Sequence, residues 1–367
     1  MTIKYFCDKI YSEKFSQLHG AALLPFVRHS LKTEVDDVTY QKFREKEFLD
    51  LIKNPILNIT NDINDADYIL IPIDYSFLVK LPSENFINHF VKLSKEASKP
   101  LVIAQFGDNF MDINIKNSII LRCSKYRNEL KMNEFICPPL ISSLRSEARF
   151  SLLNKVNKLS IGFVGQTYKD VNSILHNFFK AGKRDYLYTI LGFFSPKYKY
   201  LRSGIFFRQK AVNILLADSE IHCDFTLRNY WGLGRPMWSK GLSSIVRKEF
   251  IGNIQRNLYN LSVKGAGNFS FRFFEILSAG RIPVLIDTLC ALPYHNKIDY
   301  SEFCIIVDHQ NIKNIPTILK TWHATRSPDE ILRAQVKARE IFETKLKFRL
   351  FMKEFFNKGI KHDVIPS

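Results

Sequence analysis

The sequence predicts an α/β protein with two parallel sheets. Three features lead to this prediction: apolar runs of about four to eight residues, helical stretches between them, and a glycine-rich loop where one run ends. Two prolines, Pro138 and Pro139, follow the first set of runs and indicate a rigid connection to the second set. We therefore expect two α/β domains.

The predicted strands form two groups along the chain. The first group is Ile3–Cys7, Tyr68–Ile73, Leu101–Gln105 and Ser118–Leu121, and the second is Leu159–Gln166, Leu258–Val263, Ile282–Ile286 and Cys304–Val307. From this grouping we predict an N-terminal domain over residues 1–155 and a C-terminal domain over residues 156–327. Residues 328–367 read as a long amphipathic helix, which either lies on an anionic membrane or packs back toward the N-terminal domain, and we expect the packing.

Composition and charge restrict the classes of partner. The 367 residues carry 53 Lys and Arg against 36 Asp and Glu, a net charge of +17. Such a surplus indicates either a polyanionic partner or a solvated basic surface. The six cysteines form no CxxC pair and the nine histidines no HExxH motif, so the sequence predicts neither a metal nor another cofactor. The start, MTIKYFCDKIYSEK, lacks the apolar run of a secretory signal, and we expect a cytoplasmic location.

The glycine-rich loop within GAGNFSFRFFEILSAGRIPVLID is the main candidate for chemistry. It joins a predicted strand to a helix that ends at Gly280, and ligands of parallel sheets bind at the carboxyl ends of the strands. Gly265 and Gly267 allow a ligand to approach the backbone, and the helix N-terminus attracts a phosphate. We expect Ser270 or Asn268 to cap this helix.

Arg272 stands in the first turn of that helix, where the dipole disfavours a cation. A bound diphosphate would offset this cost, because its oxygens accept the two hydrogen bonds of a guanidinium fork. Glu275 lies three residues further along, on the same side of the helix. It either forms an ion pair with Arg272 or accepts hydrogen bonds from the hydroxyls of a ribose.

This stretch resembles the signature of the exostosin family of glycosyltransferases, in which a Gly-Asn/Thr-x-Ser-x-Arg-x-x-Glu segment runs into Gly-x-Ile-Pro-Val. DADYILIPID, GDN, ICPP, IGFVGQ and FTLRNYW also have counterparts in the family, in the same order. The resemblance implies the GT-B architecture, with two Rossmann-like domains facing across a cleft and a nucleotide-sugar bound by the second domain. It also implies a transfer that inverts the sugar without a metal.

Carried over residue by residue, the resemblance assigns Glu275 to the ribose. Arg272, Asn268 and Ser270 go to the phosphate region, together with the loop glycines Gly265 and Gly267, and Arg228 is a second phosphate partner. Many family members have an arginine where this chain has Lys264, which keeps the charge but lacks the fork.

An inverting transfer needs a general base that takes the proton of the acceptor hydroxyl. The candidates in the N-terminal domain are Asp108 and Asp74, which follow predicted strands, and His19. The triplet Asp65-Ala66-Asp67 looks like a metal-binding DxD motif, but it precedes a predicted strand, and we interpret it as the approach to that strand.

The sequence as a whole therefore predicts an inverting glycosyltransferase with a nucleotide-sugar donor and a surface-polysaccharide or lipid-linked glycan acceptor. We expect it in the cytoplasm, at the inner face of the membrane, where the basic surface meets anionic lipid. Two alternatives stay open. One is a nucleic-acid-binding protein, favoured by the charge and by the basic and aromatic segment Phe193–Lys210, although we expect no nucleic-acid partner. The other is a glycan-binding relative without activity.

Overall fold

A computed structural model of the protein describes residues 4–6, 47, 50, 51, 54, 56, 58–78, 84–108, 111–167, 182–228 and 240–359. The chain divides into two compact units, each with one parallel sheet. Unit 1 comprises Met1–Ser142, Ala291–Tyr294 and Lys345–Ser367, and unit 2 comprises Ser143–Cys290 and His295–Thr344. Two parallel sheets with helices confirm the predicted α/β class and its two-sheet plan.

Unit 1 contains a six-stranded sheet in the order β2-β1-β3-β4-β5-β6. All neighbouring strands are parallel. The core under this sheet is formed by fully buried aliphatic and aromatic side chains, among them Ile69, Ile103, Ile120 and Phe90. The elements are β1 (Lys4–Phe6), β2 (Asn58–Thr60), β3 (Tyr68–Leu70), α1 (Tyr75–Leu78), α2 (Glu84–Glu96), β4 (Leu101–Gln105), β5 (Ser118–Arg122) and β6 (Glu134–Ile136).

Unit 2 contains a five-stranded parallel sheet in the order β11-β10-β9-β7-β8. Its elements are β7 (Ser160–Gln166), α3 (Gly182–Phe194), α4 (Gly204–Leu216), β8 (His222–Arg228), α5 (Lys240–Arg256), β9 (Tyr259–Ser262), α6 (Phe271–Ser278), β10 (Ile282–Asp287), β11 (Ile305–Asp308), α7 (Ile315–Ala324) and α8 (Pro328–Ile341). Strands β9 and β10 are completely buried, as their continuous apolar runs predict. This sheet carries the candidate site.

All eight predicted strands are present, and the described residues contain three further strands, β2, β6 and β8, that were not predicted. The residues just before the two prolines form a strand that was not predicted, because Glu134–Ile136 is β6 and pairs with β5. The prolines follow this strand directly. Each additional strand lies at an edge of its sheet.

The predicted single helix at the C-terminus is broken. Helix α8 begins at a capping box made by Ser327 and Glu330 and ends at Ile341. A separate helix, α9 (Phe348–Glu354), begins after Lys347, which has extended backbone angles of φ −70° and ψ 128°. Because this residue is extended, the helical backbone is interrupted before α9 begins. No helix among the described residues is long and apolar enough to cross a membrane.

 The tail after this break belongs to unit 1. Phe348 packs edge-on against Phe106 with ring centroids 5.6 Å apart, and Phe355 packs against Phe135 at 4.9 Å. Phe351 and Met352 are buried as well. Because these apolar side chains are covered by protein, they are not available to a bilayer, and the alternative of a membrane-lying C-terminal helix does not hold for residues 345–359.

Candidate anion-binding site

The glycine-rich loop lies where the sequence predicted it, between β9 and α6 at the carboxyl edge of the unit 2 sheet. The amide of Gly265 donates to the carbonyl oxygen of Phe269 at 2.8 Å and closes the loop. Helix α6 ends in a Schellman motif, in which Gly280 has φ +66° and its amide donates to the Leu277 oxygen. The predicted role of Gly280 as the helix stop is therefore confirmed by its geometry.

Neither predicted cap forms a capping hydrogen bond. Ser270 occupies the N-cap position, but its side chain accepts no bond from the helix. Asn268 is 2% exposed, and its amide nitrogen donates to the carbonyl oxygens of Thr288 and Leu289, both at 3.2 Å. Its amide oxygen accepts from the Thr288 hydroxyl at 2.6 Å. Asn268 thus ties the loop to the segment after β10, and Ser270 leaves its hydroxyl without a capping partner.

Arg272 lies across the carboxyl end of β7. Its guanidinium donates to the carbonyl oxygen of Val164 and stacks over the Phe163 ring at 4.4 Å. A side chain at position 165 would bring a Cβ within 2.9 Å of the Arg272 Nη2 atom, so Gly165 leaves the room that the guanidinium occupies. Burial, and then the charge of Arg208, lower the pKa of Arg272 to about 9.

Arg208 reaches the same place from α4. It donates to the Gln166 oxygen at 3.0 Å and to the Lys264 oxygen at 3.3 Å. Burial lowers the pKa of Arg208 to about 10. Both arginines stay protonated at pH 7. No local sequence pattern connects Arg208 with the loop, because it is 64 positions before Arg272.

Among the described residues, neither Arg208 nor Arg272 forms an ion pair with a carboxylate, although the charge of Glu275 opposes the lowering of the Arg272 pKa. Their described hydrogen bonds all go to backbone carbonyl oxygens, which carry no net charge. The Nε atom of each guanidinium is buried and has no hydrogen-bond partner. Like charges held together in a poorly solvated place are costly unless an anion joins them. This arrangement, which we call the arginine pair, is what a binding site for a doubly charged anion requires.

Arg228 and Lys264 also lie at this edge of the sheet, and both are engaged by protein. Arg228, the last residue of β8, forms an ion pair with Glu249. Its charge contributes to lowering the pKa of Arg272. Lys264 is 5% exposed and donates to the Tyr200 oxygen at 2.7 Å. Lys264 therefore clamps the loop to the segment before α4.

Glu275 does not pair with Arg272, so the interpretation of an internal ion pair is wrong. Among the described residues, its Oε1 atom accepts from Arg247 Nη1 at 2.6 Å, and its Oε2 atom has no protein donor. Arg247 also binds both carboxylate oxygens of Glu147, at 2.9 and 2.5 Å. Sequence reasoning missed Arg247 and Glu147, because they are 28 and 128 positions away from Glu275 in the chain.

The candidates for a general base differ in their surroundings. Asp108 is exposed and follows β4 by three positions. Asp74 is 7% exposed; one of its oxygens accepts from the Ser76 amide at 2.9 Å and the other from the Phe106 amide at 2.6 Å. Burial raises the pKa of Asp74, and these hydrogen bonds oppose the rise. His19 lies outside the described residues.

The DxD-like triplet is occupied by contacts within unit 1. Asp65 binds the Lys4 ammonium at 2.7 Å, and Asp67 accepts from the Lys4 amide at 2.9 Å. Both carboxylates therefore fasten the approach to β3 against β1. Across the part of the chain that the structure describes, no three His, Cys, Asp or Glu side chains lie close enough to hold a metal ion.

The fold is that of an α/β protein, and the arginine pair is a candidate anion site at the carboxyl edge of its second sheet. Residues 220–322 match the exostosin GT47 domain, which contains β8, the glycine-rich loop, Arg272 and Glu275. The chain is also 36% identical over 73 residues to Exostosin-1 of Drosophila melanogaster, a match that covers 20% of this chain and 10% of that protein. These two matches confirm the resemblance to exostosin-family glycosyltransferases.

Two solved structures show more distant likenesses. The crystal structure of HepE from Anabaena in complex with UDP has 9% identity, 98% coverage of this chain, 99% coverage of that chain and a TM-score of 0.38. MurG of Acinetobacter baumannii has 10% identity, coverages of 80% and 74%, and a TM-score of 0.31. TM-scores below 0.5 do not establish a shared fold, so the fold assignment rests on the strand order of the chain itself.

Proposed function

We propose that the protein is an inverting glycosyltransferase that moves a sugar from a nucleotide-sugar to a hydroxyl of a surface-polysaccharide or lipid-linked glycan. The observation that carries the proposal is the arginine pair beside the glycine-rich loop. A nucleoside diphosphate carries the negative charge that would neutralise Arg208 and Arg272, and its oxygens accept charge-assisted hydrogen bonds from both. The exostosin GT47 match, which spans the glycine-rich loop and Arg272 but not Arg208, supports a sugar as the transferred group.

In the proposed reaction, the acceptor oxygen attacks the anomeric carbon from the face opposite the diphosphate. The bond between that carbon and the phosphate oxygen breaks, and the diphosphate leaves with the bonding electrons. Arg208 and Arg272 stabilise the negative charge that develops on it. Asp108 is the proposed base for the acceptor proton, and the unpartnered Glu275 Oε2 atom is the proposed acceptor for a ribose hydroxyl.

The first test is a thermal-shift panel of nucleotides and nucleotide-sugars, measured with EDTA present. A ligand at 100 times its dissociation constant stabilises the fold by about 2.7 kcal/mol. We expect a nucleoside diphosphate to raise the melting temperature in EDTA as much as in Mg²⁺ or Mn²⁺. No shift with any nucleotide would contradict the donor site, and a shift that needs the metal would contradict metal independence. A shift with oligonucleotides alone would favour the nucleic-acid-binding alternative.

The second test separates the two described carboxylates. We expect Asp108→Asn to abolish transfer and to leave both nucleotide affinity and melting temperature unchanged, because the residue is exposed and serves only the acceptor. Activity is measured as sugar release and transfer, and nucleotide affinity by titration. An inactive Asp108→Asn variant that still binds nucleotide also separates the enzyme from a glycan-binding relative.

Asp74→Asn provides the comparison. The amide that replaces the carboxylate has one acceptor oxygen in place of two, so it leaves either the Ser76 or the Phe106 amide without a partner. We expect the free energy of unfolding to fall by about 1–3 kcal/mol. Wild-type turnover in Asp108→Asn would show that the base is another residue.

A further inference from the structure

Arg247 of α5 binds two carboxylates that come from different parts of unit 2. Its Nη1 atom donates to Oε1 of Glu275 at 2.6 Å, and its Nε and Nη2 atoms donate to the two oxygens of Glu147 at 2.9 and 2.5 Å. The side chains of Arg247, Glu147 and Glu275 are 17%, 24% and 10% exposed. The three groups therefore form a largely buried cluster, which we call the Arg247 cluster.

The charges within the Arg247 cluster do not balance. Glu147 already neutralises the guanidinium, because both of its oxygens accept hydrogen bonds from the fork. Glu275 adds a second carboxylate to the same cation, which leaves one surplus negative charge among the three groups, in a place with little solvent. Burial opposes the charged form of Arg247, but the hydrogen bond to Glu147 and the charge of Glu275 raise its pKa. An ion pair that served only the fold would be complete with Glu147, so the additional carboxylate indicates a donor outside the cluster.

The Arg247 cluster holds Glu275 by one oxygen only. Oε1 accepts from Arg247, and none of the described residues donates to Oε2. The Phe250 ring lies beside two guanidinium groups, with the Cζ atom of Arg247 at 5.3 Å and that of Arg272 at 5.5 Å from its centroid. Glu275 is also close enough to Arg272 for its charge to oppose the lowering of the Arg272 pKa. One ligand can therefore place a phosphate at the arginine pair and a hydroxyl at Oε2 of Glu275.

A single apolar core fixes the three segments that carry the cluster. Side chains from the segment before Glu147, from α5 and from α6 are buried in this core together, among them Leu144, Ile251 and Ile276. The Leu144 amide also donates to the Ser278 hydroxyl at 3.0 Å, and that hydroxyl donates to the carbonyl oxygen of Glu275 at 2.7 Å. Packing therefore sets the position of Arg247 relative to Glu275 before any ligand binds.

We propose that Arg247 is a positioning residue for Glu275: it holds Oε1 so that Oε2 is presented to a hydroxyl of the nucleotide ribose, and Glu147 holds Arg247 in turn. The proposal rests on the proposed function, because it takes Glu275 as the acceptor for that hydroxyl. A glutamate side chain that is free in solution has many rotamers, and fixing one of them on binding costs affinity. The Arg247 cluster has fixed the rotamer beforehand, so the hydrogen bond to the hydroxyl contributes in full.

The experiment measures ribose selectivity, which is the affinity for a ribonucleoside diphosphate divided by the affinity for the same nucleotide without one ribose hydroxyl. The full-length protein is titrated with ADP, CDP, GDP and UDP, and the nucleotide that binds most tightly is compared with its 2′-deoxy and 3′-deoxy forms. We expect wild type to bind at least one deoxy form about tenfold more weakly or worse, because a hydrogen bond to a charged group is lost.

Arg247→Gln should reduce this selectivity about fivefold or more, because Glu275 is then no longer held in one rotamer. The affinity for the deoxy form should stay within about twofold of wild type, since the arginine pair still binds the diphosphate. Glu147→Gln should reduce the selectivity in the same direction, because a neutral amide holds the guanidinium less firmly than a carboxylate does. Glu147 is the more exposed residue, so this variant decides the question if Arg247→Gln does not fold.

A double variant tests whether Arg247 acts through Glu275. Glu275→Gln alone should lower the ribose selectivity, since a neutral amide accepts a weaker hydrogen bond from the hydroxyl. A positioning residue has no effect once the group that it positions is gone. Adding Arg247→Gln to Glu275→Gln should therefore lower the selectivity no further, and the two effects should be non-additive.

Two matched controls remove a guanidinium from a carboxylate elsewhere. Arg349→Gln acts in unit 1 on a side chain that is 17% exposed, as Arg247 is, and that binds Asp50 at 2.7 Å. Arg256→Gln acts on α5 itself, where the guanidinium binds Asp224 at 3.0 Å. Both variants should keep the ribose selectivity within about twofold of wild type, whatever their melting temperatures, because neither arginine contacts Glu275.

Failure of this proposal and failure of the proposed function give different results. If wild type binds none of the four nucleotides, the donor site itself is absent, and the proposed function fails together with the proposal. If wild type binds a nucleotide but Arg247→Gln keeps the selectivity, or weakens both nucleotides equally, Arg247 serves the fold alone and only the proposal is overturned. A further loss of selectivity in the double variant also overturns it, because Arg247 would then contact the ribose directly.

Discussion

Arg272→Gln should lower the affinity for a nucleoside diphosphate roughly ten- to hundredfold while the unliganded protein keeps or raises its melting temperature. The affinity falls because the variant deletes a charge-assisted contact, which is worth about 1.5–3 kcal/mol. The unliganded protein does not suffer equally. Removing the charge relieves the repulsion from Arg208 and Arg228 and the cost of burying a cation, both of which lower the pKa of Arg272.

The opposing losses in the unliganded protein are limited. Arg272 gives up one hydrogen bond to the Val164 oxygen and its stacking on Phe163. Each of these is worth about 1 kcal/mol, and a glutamine amide retains a donor for the carbonyl. A double-mutant cycle with Arg208→Gln measures the repulsion directly. If the two guanidiniums repel each other, the second substitution stabilises the unliganded fold less than the first.

Arg333→Gln is the matched control, because it removes the same charge from an exposed position on α8. It should change neither the melting temperature nor the nucleotide affinity. The measurements are thermal unfolding without ligand and titration with a nucleoside diphosphate. A destabilised Arg272→Gln protein with unchanged affinity would mean that Arg272 serves the fold alone, and the donor site would then have to be sought elsewhere.

The sequence predicted the interior strands of both sheets and the edge strand β11, and missed the other three edge strands, β2, β6 and β8. Strands such as β4 and β10 are buried on both faces, and their continuous apolar runs identify them. Strand β8 has seven residues, but none of them is buried, and it contains His222, Asp224 and Arg228. Strands β2 and β6 have only three residues each. Edge strands are often short and polar because a long apolar edge would pair with another chain. A short polar strand lacks the continuous apolar run that predicts a strand.

The candidate site was predictable only where its determinants are local. The loop, the helix stop at Gly280 and the unfavourable position of Arg272 follow from neighbouring residues. The spacing of Arg272 and Glu275 suggested an ion pair. Instead, Glu275 accepts a hydrogen bond from Arg247 of α5, and Arg272 donates to a backbone carbonyl of β7 and stacks on an aromatic ring of the same strand. Arg208 joins from α4, and no local pattern connects it to the loop. These partners are set by tertiary contacts between residues that are far apart in the chain, and no local pattern in a single sequence predicts such contacts.

Gly204→Ala should destabilise unit 2 by about 3 kcal/mol or more. Gly204 is the first residue of α4, where alanine is normally the better helix former by up to about 1 kcal/mol. Here a Cβ would lie 2.1 Å from the Lys264 oxygen and 2.4 Å from the Gly265 oxygen. Both obstacles are backbone atoms, so no side-chain rotation relieves the clash, and α4 and the glycine-rich loop have to separate. Thermal unfolding should show a decrease of roughly 6–12 °C.

Gly265→Ala is the matched control in the loop itself. A Cβ at this position would have the Phe269 oxygen as its nearest neighbour at 3.6 Å, an ordinary contact, and the residue has no positive φ. The substitution should therefore leave the melting temperature unchanged or slightly higher, because alanine restricts the unfolded chain. The two variants should also differ in their affinity for the nucleotide. Gly204→Ala carries Arg208 away from Arg272, so stability and nucleotide affinity fall together, whereas Gly265→Ala weakens binding only if the ligand touches the loop. A Gly204→Ala protein with the stability and affinity of wild type would contradict the close packing of α4 on the loop, and with it the geometry that places Arg208 beside Arg272.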